Sequence, residues 1–157
     1  EKIVEQSEKM QQGMSDIVWA VKPDNDKIED ISIRMREYIS RILEPKNINV
    51  QFEADEKIMQ QAIDMQQRRD LLMIFKEAVN NIAKHAGANN VKINISKLEN
   101  AITVLIEDDG AGFNAEKITS SSGLKNMNAR AEKMGGHLSI SSAKQKGSIV
   151  KLTIPVV

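Results

Sequence analysis

Cysteine is absent from the sequence, which excludes disulfide bonds and thiolate metal sites within this chain. Long apolar runs are absent too: the longest, residues 17–21 and 71–75, have five residues, whereas a membrane-spanning helix needs about 20. No signal-peptide pattern is visible. The 22 acidic and 22 basic residues balance, so no excess of one sign points to nucleic acid or an anionic membrane surface as a partner.

What remains is the composition of an ordinary globular protein. The chain has 157 residues, of which 41% are hydrophobic and 28% charged, and these values suit one domain with a short appendage. We expect a cytoplasmic domain that contacts neither nucleic acid nor a membrane directly. Because the sequence starts at Glu1 inside a helical pattern, without an initiating methionine, we also expect it to be part of a longer protein.

A helix is predicted over the first 22 residues by apolar side chains that alternate at spacings of four and three. The seam comprises Ile3, Ser7, Met10, Met14, Ile17 and Val21. Such a seam is typical of a coiled coil or helix bundle, although Ser7 and Gly13 interrupt it. The helix therefore either pairs with another helix or folds back on its own domain, and Pro23 is expected to end it near Lys22.

The rest of the chain, residues 23–157, predicts an α+β domain. Helical spacing predicts a helix up to about Leu43, with Asp24, Asn25 or Asp26 as its cap, and further helices over residues 68–87 and 123–134. Alternating apolar residues predict strands at 47–53, 91–96, 102–107, 138–140 and 150–154. A short helical turn is expected within 54–67. Strands with one apolar face favour a two-layer sandwich, in which helices cover one face of a mixed, mostly antiparallel sheet of about five strands.

The helix over residues 68–87 carries the first candidate site. Along the border of its apolar stripe lies a polar stripe with spacings of three and four, namely Glu77, Asn81, Lys84 and His85. Half-buried polar groups need partners. A carboxylate, an amide oxygen and an ammonium on adjacent turns suit a metal ion and a phosphate chain, but a solvated helix flank fits the same pattern. This helix alone does not decide between the two.

The second candidate site follows the strand predicted over residues 102–107. Asp108 continues the alternation of the apolar residues in that strand, so its carboxylate is predicted to point toward the helix-covered face, which is costly without a hydrogen-bond partner. Gly110 and Gly112 follow, and glycine lets the backbone turn sharply and approach a ligand. An inward carboxylate is a good acceptor for an exocyclic amine such as that of adenine. In isolation, however, DDGAG is also typical of an Asp-Gly hairpin turn.

The third candidate site is the Ser-Ser-Ser-Gly-Leu segment at residues 120–124, which leads into the next predicted helix. Hydroxyls and free backbone amides at a helix N-terminus form an anion site. A plain N-cap would use the same residues. The small and polar residues 114–122 would form either a lid over a phosphate site or an idle surface loop.

The order and spacing of these segments are specific. KEAVNNIAKHAGA, EDDGAGF and SSGLKNMNARAEKMGG resemble the N box and the two glycine boxes of the ATP-binding domain of bacterial sensor histidine kinases, and KGSIVKLTIP resembles its closing strand. The resemblance spans residues 27–157 and implies a Bergerat-type fold, shared with gyrase, heat-shock chaperones and mismatch-repair ATPases. It is greatest to the short-lidded subgroup that partners helix-turn-helix response regulators. MSDIVWAVKPDND resembles the junction of that subgroup, which implies that residues 1–22 end a dimerisation helix.

The resemblance implies a site for ATP and Mg²⁺. Asn81 would be a Mg²⁺ ligand, because its amide oxygen suits a hard cation that keeps several waters and bridges phosphates. Glu77 would be the general base or polarising group for phosphoryl transfer. Asp108 would accept a hydrogen bond from the adenine amine. The other ATP-binding residues that the resemblance implies are Lys84, His85, Gly110, Gly112, Ser121, Ser122, Gly123 and Leu124.

The resemblance also implies a function for the longer protein. The domain would transfer the γ-phosphoryl group of ATP to a histidine of the dimerisation domain, for relay to an aspartate of a response regulator, in a homodimer held by the N-terminal helix. Membrane anchoring of the parent is left open by the sequence. The only histidines are His85, in the ATP motif, and His137, at a strand start. We therefore expect the acceptor upstream of Glu1 and expect this chain to bind ATP without completing autophosphorylation.

The sequence departs from the family pattern at Ser121, where the second glycine box usually begins with glycine. Two other functions also remain open. A serine kinase of the anti-sigma-factor type shares the ATP fold but would not need the helix over residues 3–21. A non-catalytic regulator would act through that helix and a protein partner, yet the intact Glu77, Asn81 and Asp108 argue against loss of the nucleotide.

Overall fold

A computed structural model describes residues 2–22, 26–112, 122–142 and 145–156 of the chain. Four α-helices and five strands lie within these residues. In chain order they are α1 Lys2–Val21, α2 Ile28–Ile42, β1 Asn49–Ala54, α3 Met65–Asn81, β2 Asn90–Leu98, β3 Ala101–Asp108, α4 Ser122–Lys133, β4 His137–Ser142 and β5 Ser148–Pro155. The predicted α+β class is confirmed.

The five strands form one sheet in the order β1-β2-β3-β5-β4. Strand β1 is parallel to β2, and the other neighbours are antiparallel, so the sheet is mixed and mostly antiparallel, as predicted. Alternate residues of β2 and β3 are buried, and they join the buried faces of α2, α3 and α4 in a single core. The helices therefore cover one face of the sheet, and the cavity described below lies between these two layers.

Helix α2 has the predicted core face, since Ile28, Ile31, Met35, Tyr38 and Ile39 are buried. Its start differs from the prediction. The N-cap is Lys27, and the Asp30 carboxylate accepts a hydrogen bond from the Lys27 backbone N–H over 3.2 Å. The cap predicted at Asp26 is therefore wrong, because the first-turn carboxylate satisfies the free amide from inside the helix. Asp24 and Asn25 lie outside the described residues.

Helix α3 begins at Met65, three residues before the predicted start at Arg68. Asp64 accepts a hydrogen bond from the Gln67 amide over 2.8 Å, and the Gln67 side chain accepts one from the Asp64 amide over 3.2 Å. This reciprocal pair is a capping box, which fixes the first turn. Within the polar segment before it, the expected helical turn is present as a 3₁₀ turn at Glu56–Ile58.

Strand β1 begins at Asn49, two residues after the predicted start at Asn47. Helix α2 is followed by a 3₁₀ turn at Glu44–Lys46 that contains Pro45. Asn47 closes this turn in the left-handed region, with φ 58°. A left-handed residue cannot belong to an extended strand, so pairing starts only after it.

Helix α1 presents most of its predicted seam to solvent. The side chains of Ile3, Met10 and Met14 are 82%, 71% and 67% exposed, while Trp19 packs against the core. The Arg34 guanidinium of α2 lies 5.9 Å from the Trp19 ring centroid and donates a hydrogen bond to the Ser15 hydroxyl over 3.2 Å. The side chains of Ile17 and Val21 lie outside the described part.

No helix among the described residues has the length and hydropathy of a membrane span.

Candidate functional site

A cavity of about 450 Å³ opens between α3, the N-terminal half of α4 and the inner face of the sheet. This volume falls within the range usual for small-molecule sites. Seven of the predicted site residues line it, namely Glu77, Asn81, His85, Asp108, Gly112, Gly123 and Leu124. Residues from three segments that are far apart in the sequence thus meet at one place.

The α3 wall of the cavity presents residues spaced by four: Glu77, Asn81 and His85. Beyond Asn81 the helix widens into a π-helical turn at Ile82–Ala86, and Gly87 ends it with φ 59°. A wider turn needs more residues per revolution, so a spacing of four stays on one face there. Lys84, in contrast, is exposed and does not line the cavity. Its predicted position along the phosphates stays a prediction.

Asp108 points into the cavity, as the strand parity predicted, and only 8% of it is exposed. Its Oδ1 atom accepts a hydrogen bond from the Gly110 amide over 2.9 Å. Its Oδ2 atom accepts one from the Ser148 hydroxyl of β5. A carboxylate oxygen has two lone pairs, so each oxygen can accept one more hydrogen bond from a ligand. Gly110 does not line the cavity itself but orients the carboxylate that does.

Asp109, the next residue, is exposed and has a different role. Its carboxylate accepts hydrogen bonds from the Asn89 and Asn90 backbone amides over 2.9 and 2.8 Å and from the Asn90 side chain over 2.7 Å. The Asn90 side chain, followed by the two backbone amides, lowers the pKa of Asp109 below its ordinary value. Asp109 therefore joins the end of β3 to the start of β2. The next described element is α4.

The α4 wall meets α3 at Gly123 and Glu77. A Cβ atom on Gly123 would overlap the Glu77 carboxylate where it now lies, so a side chain at position 123 would require that carboxylate to move. Leu124 is buried beside it. Ser122 begins α4, although its side chain is outside the description, as are Ser121 and the predicted lid.

The comparison with known proteins identifies the family. Residues 66–157 match the family model described as "Histidine kinase-, DNA gyrase B-, and HSP90-like ATPase". The chain belongs to this ATPase family. It is 34% identical over 119 residues to the sensor histidine kinase YvfT of Bacillus subtilis, an alignment that covers 76% of this chain and 31% of YvfT. It is 34% identical over 87 residues to the histidine-protein kinase/phosphatase DegS of Brevibacillus brevis, which covers 55% of this chain and 22% of DegS.

The chain thus spans less than a third of the length of these curated relatives. Among solved structures, the histidine kinase domain of the Erythrobacter litoralis EL346 blue-light activated kinase covers 99% of this chain with a TM-score of 0.73 and 16% identity; the match covers 75% of that chain. Histidine kinase AdeS of Acinetobacter baumannii also covers 99%, with a TM-score of 0.73 and 15% identity, over 82% of its chain. These matches confirm that this ATPase-family domain has the histidine kinase catalytic fold.

Several residues of the ATPase-family cavity were not predicted from the sequence. They are Ala78, Ile82, Ile106, Met127, Ile140, Ser148 and Val150. All but Ser148 are apolar, and they lie in the buried core or pack against it. Ser148 could have been found, because it continues the inward parity of Val150, Leu152 and Ile154 in β5. An inward polar residue beside Asp108 is the signal that was missed.

Mg²⁺ fits the residues of this cavity in one specific way. No group of three or more carboxylate or histidine side chains in the described ranges could hold a metal ion by itself. Glu77 and Asn81 offer a carboxylate and an amide oxygen at the cavity wall. Mg²⁺ usually keeps several waters and uses few protein ligands together with substrate phosphates. The donors present therefore fit a metal ion that enters together with a phosphate chain.

Proposed function

We propose that this domain binds ATP with Mg²⁺ in the cavity between α3 and α4. We further propose that, within a longer sensor histidine kinase, it transfers the γ-phosphoryl group to a histidine for relay to an aspartate of a response regulator. The observation that carries the proposal is the inward Asp108 carboxylate at one wall of a cavity whose other wall presents Glu77 and Asn81. The wall with Asp108 suits the adenine of a nucleotide, and the wall with Glu77 and Asn81 suits a metal ion with its phosphate groups.

The adenine end of the site is formed around Asp108. Its carboxylate would accept a hydrogen bond from the adenine amine, and the Gly112 backbone would shape the same wall. Ile106, Met127 and Val150 supply apolar surface on which a base can be buried. An acceptor that is buried and already oriented discriminates strongly for an amine, because any ligand without a donor leaves it less satisfied.

The phosphate end would lie toward Asn81 and the N-terminus of α4. Bound Mg²⁺ supplies charge neutralisation there, and Asn81 would hold it through the amide oxygen. His85 lines the cavity on the next turn, and Lys84 would reach the phosphates from the rim. The Ser122 and Gly123 backbone amides at the start of α4 would bind phosphate oxygens as at other helix N-termini, and Ser121, the preceding residue, is proposed to bind them as well. Leu124 would hold the base of the lid.

Glu77 is the proposed general base or polarising group. In the transfer step, the acceptor imidazole nitrogen forms a bond to the γ-phosphorus, the bond from that phosphorus to the bridging oxygen breaks, and ADP leaves. The imidazole proton would pass to the Glu77 carboxylate. Because such transition states are loose, Glu77 and the α4 amides would act mainly by position and charge.

The acceptor histidine is proposed to lie on a dimerisation domain of the longer protein. His85 belongs to the cavity, and His137 is exposed at the start of β4. The exposed seam of α1 supports a homodimer through that helix, because a row of large apolar side chains favours a helical partner. Residues 1–22 would then be the end of the dimerisation helix and residues 23–157 the catalytic domain. Both would work in the cytoplasm, where the response regulator is.

The proposal is tested by calorimetric titration of the chain with ADP and a non-hydrolysable ATP analogue, with and without Mg²⁺. We expect one nucleotide per chain, with Mg²⁺-dependent affinity that is lost in Asp108→Ala. Absence of binding by a folded wild-type chain would contradict it. For transfer, a dimerisation domain with its histidine is supplied separately. Glu77→Gln should then bind nucleotide normally but transfer phosphate more slowly by a factor of about 10²–10⁴.

A further inference from the structure

Asp70 on α3 is a charged residue buried far from the reacting groups. Its side chain is 0% exposed and accepts a hydrogen bond at Oδ1 over 2.9 Å from the guanidinium of Arg130 on α4, whose own side chain is 36% exposed. The Oδ2 atom has no hydrogen-bond partner among the described residues. The Arg69 guanidinium lies 4.0 Å from Oδ1, at the limit of an ion pair. A buried carboxylate with one free oxygen is costly, so its presence calls for an explanation.

The ion pair lies on the same faces of α3 and α4 as the two residues that meet at the cavity. Asp70 precedes Glu77 by seven residues on α3, and Arg130 follows Gly123 by seven residues on α4. Residues seven apart share a helix face, and the rise between them is about 10.5 Å. The two helices therefore meet at two points about two turns apart. Glu77 approaches Gly123 at the cavity, and Asp70 pairs with Arg130 farther from the cavity, toward the start of α3 and the end of α4.

The contact between these two points is apolar. Between Gly123 and Arg130 on α4, Leu124 and Met127 are buried in the core to which α3 also contributes. Apolar packing is non-directional, so it stabilises contact between two helices without selecting one axial position strongly. A hydrogen-bonded ion pair is directional and is satisfied only at one register. Buried ion pairs add little net stability when compared with apolar pairs, and their best-attested use is to fix a register.

We propose that Asp70 and Arg130 are positioning residues that set the axial register of α4 on α3 and thereby place the α4 N-terminus at the phosphate end of the cavity. This inference rests on the proposed nucleotide-binding function. The adenine end is formed by β3 and β5, whose register depends on the sheet and not on this pair. Loss of the pair should therefore affect phosphate binding more than binding of the base.

The decisive variant replaces both partners by apolar residues, Asp70→Leu with Arg130→Met. Leucine in place of the buried Asp70 removes the cost of the free oxygen, and methionine in place of the partly exposed Arg130 leaves no unpaired charge, so we expect the folded state to remain stable. We expect the non-hydrolysable ATP analogue to bind roughly tenfold more weakly, which corresponds to one lost oriented interaction. Adenosine should bind with the wild-type affinity. A variant that was merely destabilised but folded would bind both ligands as the wild type does.

The single variant Arg130→Lys provides a second measurement should the apolar pair not fold. Lysine keeps the charge but lacks the planar guanidinium fork, so it should retain part of the preference for the ATP analogue. Glu37→Gln, which changes the exposed partner of the Arg34–Glu37 ion pair of α2, is the matched control and should bind both ligands normally. Wild-type affinity of Arg130→Lys for the ATP analogue would overturn the proposal if the apolar pair does not fold, and wild-type affinity of the apolar pair would overturn it if that pair folds.

Amide hydrogen exchange separates this inference from the proposed function, because it needs no nucleotide. In the apolar pair, we expect faster exchange in the first turns of α4 and unchanged exchange in β3 and β5. If the wild-type chain bound no nucleotide, the proposed function would fail, while faster exchange at the start of α4 would still support the register role. Unchanged exchange in a variant that folds would overturn the register role even if the wild type binds nucleotide.

Discussion

Asp108 and Ser148 lie directly opposite each other on β3 and β5, and the Ser148 hydroxyl donates a hydrogen bond to the Asp108 carboxylate. The Gly110 amide donates to the other oxygen over 2.9 Å. The carboxylate is thus held from two sides while it faces the cavity. An acceptor oriented before its ligand arrives loses little conformational entropy on binding.

Ser148→Ala should weaken nucleotide binding by about 0.5–1.5 kcal/mol, the net worth of a typical hydrogen bond. The reason is that Asp108 then loses one of the two donors that orient it. Ser148→Thr keeps the hydroxyl and serves as the control. Calorimetry with ADP measures both variants, and equal affinities of the alanine variant and the wild type would remove Ser148 from the site.

Asp108→Ala should weaken ATP binding by about 1.5–3 kcal/mol, the worth of a hydrogen bond to a charged group. Asp109→Asn is the control on the neighbouring residue. Asp109 binds the start of β2, so its variant should lower the melting temperature but leave the affinity unchanged. Unchanged affinity in Asp108→Ala, or equal losses in the two variants, would contradict the adenine assignment.

Asn81→Ala should reduce Mg²⁺-dependent nucleotide binding more than metal-free binding, because the amide oxygen is the proposed ligand. Asn80 provides a control of the same residue type one position away. Its side chain accepts a hydrogen bond from the Tyr38 hydroxyl over 2.8 Å and does not line the cavity. Asn80→Ala should lower stability without changing the effect of Mg²⁺. Should Asn81→Ala weaken both kinds of binding equally, Asn81 would not be a metal ligand.

Lys76 predicts a pH dependence of stability. Burial lowers the pKa of Lys76 from 10.5 to about 8, and its ammonium lies 4.8 Å from the Tyr38 ring centroid. Between these two values the unfolded chain holds a proton that the folded chain has released, so the free energy of unfolding should rise with pH. Burial, the largest cause, raises the pKa of Tyr38 above 10.0. Above pH 10.0 the folded chain therefore keeps a Tyr38 proton that the unfolded chain has released, so this group lowers the free energy of unfolding as pH rises.

The measurement is the melting temperature between about pH 8 and pH 10 for the wild type and for Lys76→Met. The variant should lack the rise that Lys76 contributes, so the melting temperature of the wild type minus that of the variant should increase with pH. Lys92→Met, at an exposed position of β2, is the control and should follow the wild-type profile. Parallel profiles for Lys76→Met and the wild type would show that the burial of Lys76 does not affect stability.

Much of the site could be predicted because side-chain direction follows from local backbone geometry. Strand parity placed Asp108 on the inner face, and helical spacing placed Glu77 and Asn81 together on one flank. The same reasoning included Lys84, which is exposed and does not line the cavity, because a regular α-helix was assumed where the π-helical turn Ile82–Ala86 occurs. The starts of α2, α3 and β1 were displaced by capping and turn residues whose hydrogen bonds the periodicity does not show.

The sequence by itself determined the α+β class, the elements, the orientation of Asp108 and the three segments that form the site. Each of these depends on residues within a few positions of one another. Only the tertiary structure decided that Ser148 faces Asp108 and that Arg130 reaches Asp70, contacts that join residues 40 and 60 positions apart. Such contacts join residues of different elements, so they depend on how those elements are placed against one another in the tertiary fold, which no single periodic segment encodes.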